Sequence, residues 1–493
     1  MSDRFLGLPV SQLVAELALS RAAIHYHQYQ LEGAAFMLSR TCGILGDDRG
    51  LGKTREAALA ISYGMWDPVL VVCPSGLRLH WERELGLVAP QAAVCRPTGV
   101  DELRSCLASV TIIPYSRLGE WYRVLAEHRF IAVLFDEGHY LRNSVRRCNE
   151  HSRAVKATLA LGSARGVHRS DVALALAQNI ERVWVLTGTP QLARNRELFN
   201  LLRITRHPLG DRWWSFTERF CGGRRTLQGI ESHGSTNSEE LAGCLEGHML
   251  RRRKEDVITL PGSRTHKVLV RLEGRERALY REAWAQYLAA IRRRCSRFRR
   301  RRMVGAKGLT QLTLLRAIAS RAKVEHVIRM ACENEGKAIF FSGFNETLGL
   351  VCRRLTERGK LFVRYDGALS EIARDMAWQQ FQHDPEVGFF VGNVGSAKEG
   401  LTLTAARSVF FLDLCWTPGD HDQATDRAVR LGQTAIVDVY YVIARGTVDE
   451  PHLRLLEERR KMLVRFFSAG SATEGDSDEK SVETELIDCL SRL

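Results

Sequence analysis

Residues 47–54, D-D-R-G-L-G-K-T, decide the fold of this chain. They follow a short strand candidate at 42–46 and precede a helix-prone A-A-L-A run, so the stretch reads as strand, loop, helix. Glycines in such a loop let backbone N–H groups converge on phosphate oxygens, and the next helix adds its positive N-terminal end. Gly50 and Gly52 shape that turn, Lys53 would reach the β- and γ-phosphates, and the Thr54 hydroxyl would bind Mg²⁺. Asp47 stands where the usual G-x-x-x-x-G-K-[ST] pattern opens with glycine.

Around this loop the chain alternates. The apolar runs V-L-V-V-C (69–73), V-T-I-I (110–113), I-A-V-L-F (131–135) and V-W-V-L (183–186) read as buried parallel strands separated by amphipathic segments. A second series follows at 338–341, 387–391, 408–412 and 437–442. Two series imply two α/β domains. The expected organisation is a helical lead-in at 1–20, a first lobe at 21–265, a helical basic inter-lobe region at 266–330, a second lobe at 331–467 and an acidic flexible tail at 468–493.

Further stations carry chemistry. D-E-G-H (136–139) ends the I-A-V-L-F strand, where open α/β sheets place their ligands. Asp136 would hold Mg²⁺ and Glu137 would orient the attacking water. L-T-G-T-P (186–190) ends the next strand, and the hydroxyls of Thr187 and Thr189 could relay hydrolysis to the rest of the lobe. Gln30, seventeen residues before the loop, is a candidate reader of an adenine edge. Q-A-T-D-R-A-V-R-L-G-Q (423–433) sets Arg427 and Arg430 one helical turn apart, 374 residues beyond Lys53 for Arg427. An arginine that stabilises phosphoryl-transfer charge need not belong to the lobe that holds the nucleotide. The expectation is therefore an ATPase site shared by two lobes.

Composition is that of an ordinary soluble protein, with 45% hydrophobic residues and a net charge of +14. The charge raises the prior for a polyanionic partner. Sixty of the 71 basic residues are arginine, a bias more often genomic than functional, although I-R-R-R-C-S-R-F-R-R-R-R (291–302) is dense enough to suggest polyanion contact. The twelve cysteines occur singly, with no C-x-x-C pair, which argues against zinc and for free thiols in a reducing compartment. Neither a signal peptide nor a membrane-spanning run is expected.

Taken in order, these segments resemble the Swi/Snf family of helicase-like ATPases within helicase superfamily two. Gln30 matches the family's adenine-reading glutamine, 47–54 its motif I and L-V-V-C-P-S-G-L-R-L-H-W (70–81) its motif Ia. D-E-G-H, L-T-G-T-P, A-K-E-G-L-T-L-T-A-A (397–406) and 423–433 match motifs II, III, V and VI. M-L-R-R-R-K-E-D-V-I-T-L-P (249–261) is similar to the segment closing the family's first lobe, and D-L-C-W-T-P-G (413–419) to the one before motif VI. Within the family the HepA-related annealing-helicase branch is nearest. Arg49 stands where the family often has Met, Gly138 where it usually has Ser or Ala, and Val429 where it usually has His.

The resemblance implies two tandem RecA-like parallel-sheet lobes using ATP and Mg²⁺ to move along double-stranded or branched DNA. Ser75, Arg78, Trp81, Gly400 and Thr402 are its DNA-side candidates. It further implies a nuclear monomer, with a bacterial cytoplasm as the alternative, acting in repair, at replication forks or on chromatin, with nucleosomes or replication and repair proteins as partners. Two other readings stand beside it: a strand-separating DNA or RNA helicase, and a DNA- or chromatin-binding scaffold that has lost hydrolysis.

Overall fold

A computed structural model describes residues 4–20, 26–106, 108–142, 167–188, 195–226, 229–231, 236–292, 300–397, 401–469, 486 and 490. The chain forms two compact units, the first from Met1 to Ile258 and the second from Thr259 to Ser468 with the residues from Asp476 onward.

The first unit is built on a seven-stranded parallel sheet. Its strands are β1 (Cys42–Leu45), β2 (Val69–Cys73), β3 (Val94–Cys95), β4 (Val110–Pro114), β5 (Ala132–Phe135), β6 (Arg182–Leu186) and, after the hairpin β7 (Arg224–Thr226) and β8 (Gly229–Glu231), β9 (Met249–Leu250). The order is β3-β4-β2-β5-β6-β1-β9. Alternate side chains of one strand feed opposite cores: Val183 and Val185 of β6 join one, Trp184 and Leu186 the other. Both faces are covered, which is why these strands read as unbroken apolar runs. The lead-in helix Val10–Ser20 buries Leu13 and Leu17 in the second of these cores, so it belongs to the first unit rather than standing before it.

The second unit holds β10 (Ser263–Arg271), β11 (Lys337–Ser342), β12 (Phe362–Tyr365), β13 (Phe389–Asn393), β14 (Ala406–Phe411) and β15 (Val437–Arg445). Their order is β10-β15-β14-β11-β13-β12, and every pairing is parallel. The boundary falls seven residues before the expected 265 because β10 pairs with β15 along its whole length. That strand lies at the sheet edge and opens with five polar or charged residues, Ser263–Lys267, leaving only Val268–Val270 apolar. The region expected to lie between lobes instead belongs to the second unit, through β10 and the helices Gly274–Arg292, Arg300–Ala322 and Val324–Glu333. Residues 293–299 of the arginine run lie outside the described residues.

Buried polar contacts tie these helices to the sheet. Lys323, fully buried, donates to Asp449 (2.7 Å) and to the Val442 carbonyl (2.8 Å). Most of the acidic tail is outside the described residues. Its Leu486 and Leu490, however, are buried against Tyr280, Tyr287 and Leu312, a correction at those two positions to the flexible tail expected. Among the described residues no helix is long and apolar enough to cross a membrane.

Candidate nucleotide site

The phosphate loop leaves β1 and is held on one side by the chain after β9. Parallel hydrogen bonds run from Ile44 N to His248 O (2.9 Å), Gly46 N to Leu250 O (2.7 Å) and Asp48 N to Arg252 O (3.0 Å), carrying strand pairing into the loop itself. Gly50 and Gly52 take φ of +86° and +89°, a left-handed backbone that a side chain disfavours. The helix Lys53–Gly64 then begins with its N-terminus at the loop. Lys53 Nζ donates to the carbonyls of Asp47 (2.7 Å) and Asp48 (3.2 Å), within the loop's own curve.

The Asp47 side chain, at a loop position expected to help hold the nucleotide, binds Arg252. Its carboxylate is fully buried and accepts from Arg252 N (3.0 Å) and Arg252 Nε (2.9 Å). Arg252 Nη2 also bonds Glu56 (2.8 Å), and its Nη1 donates to the Tyr29 carbonyl. Burial and the nearby Asp47 charge push the Glu56 carboxyl well above its ordinary range, while Arg252 opposes them. The Asp47 carbonyl thus accepts from Lys53, while its side chain ties the loop to residue 252. Arg252 faces two buried acids in separate segments, an arrangement that leaves no local pattern in the sequence.

Gln30 lies against the loop and is buried. Its Nε2 donates to Leu51 O (3.1 Å), its Oε1 accepts from His27 N (3.2 Å), and Tyr29 Oη also donates to Leu51 O (2.9 Å). The expected adenine reader therefore also braces the loop in this form.

Asp136 and Glu137 end β5, next but one to β1 in the sheet. Both oxygens of Asp136 are fixed: Oδ2 by Trp81 Nε1 and Oδ1 by Glu137 N, each at 2.8 Å. Tyr115 Oη holds the Asp136 carbonyl (2.8 Å). Glu137 sits at φ +51°, an unfavourable conformation for a non-glycine residue of the kind found at functional sites. Burial of the pair opposes charge on both carboxyls. Asp136 is pushed up by burial and by Glu137. For Glu137, burial is outweighed by the His139 hydrogen bond (3.1 Å) and by the charges of His139, Lys53 and Arg49, which hold it low. The site therefore favours an ionised Glu137.

Gly138 has a local cause. A Cβ there would come within 2.4 Å of Val185 Cγ1, so a serine or alanine does not fit beside this β6. Thr187 is buried and its N–H donates to Leu45 O (3.0 Å), which locks the end of β6 to β1. Thr189 lies outside the described residues.

The DNA-side candidates divide. Ser75 is exposed at the start of a short turn after β2. Trp81 is fully buried on Asp136, and Arg78 is buried with Nη2 on the Pro97 carbonyl (2.9 Å). Motif Ia runs from β2 into the first turn of the helix Arg78–Val88, and these two residues lie on that helix's inward face. Both are corrections: neither presents its polar group on the surface. Gly400 is outside the described residues, and Thr402, half-buried, accepts from Trp378 Nε1 through its carbonyl (2.6 Å).

In the second unit the helix Pro418–Thr425 stops before the arginines, so Arg427 and Arg430 sit in tight turns rather than on a helix. The chain is drawn aside by Leu403 N bonding Arg427 O (2.7 Å) and Arg430 Nη1 bonding Leu401 O (3.0 Å). Gln433 completes this junction, its Nε2 within 3.1 Å of the carbonyls of Thr404, Ala406 and Ala428. Val429 is buried in the core beside Ala424 and Ala428, a place for which valine is suited and histidine is not.

The donor set fits Mg²⁺ arriving with a nucleotide. Asp136 and Thr54 offer hard oxygens, and Mg²⁺ is usually held by one or two carboxylates with phosphates and water. Among the described residues no cluster of three or more His, Cys, Asp or Glu could hold a metal alone.

A parallel-sheet lobe with this loop and this acidic pair, followed by a second parallel-sheet unit bearing the arginine turn, defines a two-lobed P-loop protein of the helicase-like class. The SNF2-related domain matches residues 29–161 and 167–324, and the helicase conserved C-terminal domain matches 322–432. The chain belongs to the SNF2-related family. It is 29% identical over 445 residues to the Xenopus tropicalis SWI/SNF-related matrix-associated actin-dependent regulator of chromatin subfamily A-like protein 1, covering 88% of this chain and 44% of that protein. It is 29% identical over 443 residues to the human DNA annealing helicase and endonuclease ZRANB3, covering 85% and 38%. These relatives agree with the annealing-helicase branch expected from the motifs. The chain spans about two fifths of their length. The Sulfolobus solfataricus SWI2/SNF2 ATPase core in complex with dsDNA is similar at a TM-score of 0.40 and 23% identity, covering 91% of this chain and 94% of that one.

Proposed function

We propose that this chain is an ATP-dependent double-stranded-DNA translocase serving DNA repair, replication forks or chromatin, with strand annealing as a consequence of its movement. The observation that carries the reading is the pairing of Lys53 in a phosphate loop with an Asp136 carboxylate fixed at both oxygens beside an ionised Glu137. Gln30, Gly50, Gly52, Lys53 and Thr54 hold the nucleotide, with Asp47 contributing through the backbone. Thr54 and Asp136 hold Mg²⁺, which neutralises phosphate charge when bound. Glu137 orients water toward the terminal phosphate. Arg427 and Arg430 act on the phosphate charge from the second lobe, and Thr187 and Thr189 transmit hydrolysis.

Ser75, Gly400 and Thr402 remain DNA-side residues in this reading, with contacts mainly to phosphates and hence sequence-tolerant and salt-sensitive. A nuclear monomer working with nucleosomes or repair proteins is the setting that fits the relatives' names. The test is ATP turnover of the purified chain across duplex, forked, single-stranded and nucleosomal DNA and duplex RNA. Stimulation by duplex or forked DNA supports translocation. Stimulation by RNA or single strands alone favours a strand-separating helicase, and no turnover under any condition favours a scaffold.

A further inference from the structure

Arg49 lies inside the phosphate loop, between the two aspartates and Gly50. A Cβ built on Gly188 would come within 2.4 Å of Arg49 Cγ, 3.3 Å of Arg49 N and 3.4 Å of Lys53 Nζ. The arginine stem therefore rests on the glycine after β6 and shares that small volume with the Lys53 ammonium. Both side chains flank the same glycine, so an anion placed there would meet both cations.

The loop's own carboxylates are occupied elsewhere. Asp47 is committed to Arg252, and Asp48 Oδ2 accepts from Lys254 N (3.0 Å). Arg49 Nε is buried and has no hydrogen-bond partner among the described residues. The helix starting at Lys53 adds its positive end to the same place. The loop thus concentrates more positive charge than one lysine supplies, with a buried donor left over. Arg49 also sits on the hydrolytic side of the loop: its charge reaches Glu137, whereas Gln30 and Tyr29 hold the opposite side through Leu51.

We propose that Arg49 is a second phosphate-binding cation of the first lobe, contacting the terminal phosphate of a bound nucleoside triphosphate. This rests on the reading of the loop as an ATP site and adds a residue to it. A guanidinium matches phosphate oxygens in a planar, two-donor geometry that lysine lacks. The added contact discriminates triphosphate from diphosphate, because the terminal group is the one ADP has lost.

The experiment measures equilibrium binding of the β,γ-imido analogue of ATP and of ADP, both with Mg²⁺, to the full chain and to Arg49→Met, Arg49→Gln and Arg49→Lys. Methionine keeps an apolar stem on Gly188, so the fold is expected to survive and the melting temperature to stay constant. The expected result is about tenfold weaker binding of the triphosphate analogue in Arg49→Met and Arg49→Gln, a charge-assisted contact's worth. ADP should weaken less than about threefold, and Arg49→Lys, which keeps the charge but not the two-donor fork, should fall between the parent and the neutral variants. Analogue affinity within about twofold of the parent in both neutral variants, or equal losses for ADP and the analogue, overturns the proposal while leaving the ATP site intact. A parent chain that binds neither nucleotide overturns the ATP-site reading and this proposal together.

Discussion

Trp81 Nε1 donates a 2.8 Å hydrogen bond to Asp136 Oδ2, joining residues 55 positions apart at the ends of neighbouring strand-to-helix connections. The indole is fully buried, so this donor is not shared with solvent. It leaves the second Asp136 oxygen to the Glu137 N–H and fixes the plane of the carboxylate. In its proposed role as a Mg²⁺ ligand, a carboxylate held at both oxygens would be oriented before the metal arrives.

Trp81→Phe keeps an aromatic ring but removes the donor together with the pyrrole half of the buried indole. The buried carboxylate then loses a hydrogen bond, at a cost to folding of about 1–3 kcal/mol. The Mg²⁺ concentration needed for half-maximal ATP turnover should rise about tenfold or more, as for other outer partners of metal ligands. A Mg²⁺ titration of turnover, beside Mg²⁺-dependent nucleotide binding, checks it. An unchanged Mg²⁺ requirement would return Trp81 to a purely packing role.

Arg252→Met removes the partner of two fully buried acids, Asp47 and Glu56. Breaking a buried ionic network by deleting one side typically costs about 3–5 kcal/mol. Urea unfolding should show the first unit's transition moved to lower denaturant by that amount. Adding Glu56→Gln should recover part of the loss by removing an uncompensated charge; a double variant less stable than the single one would contradict this.

Gly138→Ala places a methyl where Val185 Cγ1 lies at 2.4 Å, and overpacking of this kind costs about 1–3 kcal/mol. Val185→Ala opens that space. The pair should therefore couple by more than about 0.5 kcal/mol in a double-mutant cycle, with the double variant better than the sum of the singles. Strictly additive effects would place the constraint on Gly138 elsewhere.

Acid should loosen the first unit through two histidines. His248 Nε2 lies 2.8 Å from Thr205 Oγ1, and that hydroxyl already donates to Leu201 O, so the imidazole is the donor. Burial lowers His248 to about 4, with the charges of His207 and Arg40 adding to it; burial also lowers His207, whose ring centroid is 4.7 Å away. An unfolded histidine titrates near about 6.5, so both states are neutral above that pH and this contribution is fully present. Between about 6.5 and 4 the unfolded chain takes the proton first, and stability falls with falling pH. Thermal unfolding from pH 8 to 4.5 should show this slope, and His248→Gln should flatten it.

Much of this was legible in the sequence. All eight apolar runs became parallel strands because parallel sheets buried on both faces need such runs. The phosphate loop and the acidic pair were visible because the chemistry fixes residue type over a few positions. Polar edge strands such as β10, and the unit boundary that follows from it, were hidden because most of β10 is polar or charged. Arg78 and Trp81 were misread because a motif gives residue identity and not which way a helix face turns. Arg252 and Gln433 were missed because their partners are remote in sequence or are backbone atoms. Val429 looked out of place only until its burial was known.

The central claim is that duplex DNA drives ATP hydrolysis at the loop carrying Lys53 and the strand end carrying Glu137. ATP turnover of the full chain with and without duplex DNA, beside Lys53→Ala and Glu137→Gln, tests it most directly. The account predicts turnover raised by duplex in the parent and reduced by about a hundredfold or more in each variant, with DNA binding retained. Turnover near the parent's in either variant, or a parent indifferent to duplex DNA, would contradict it.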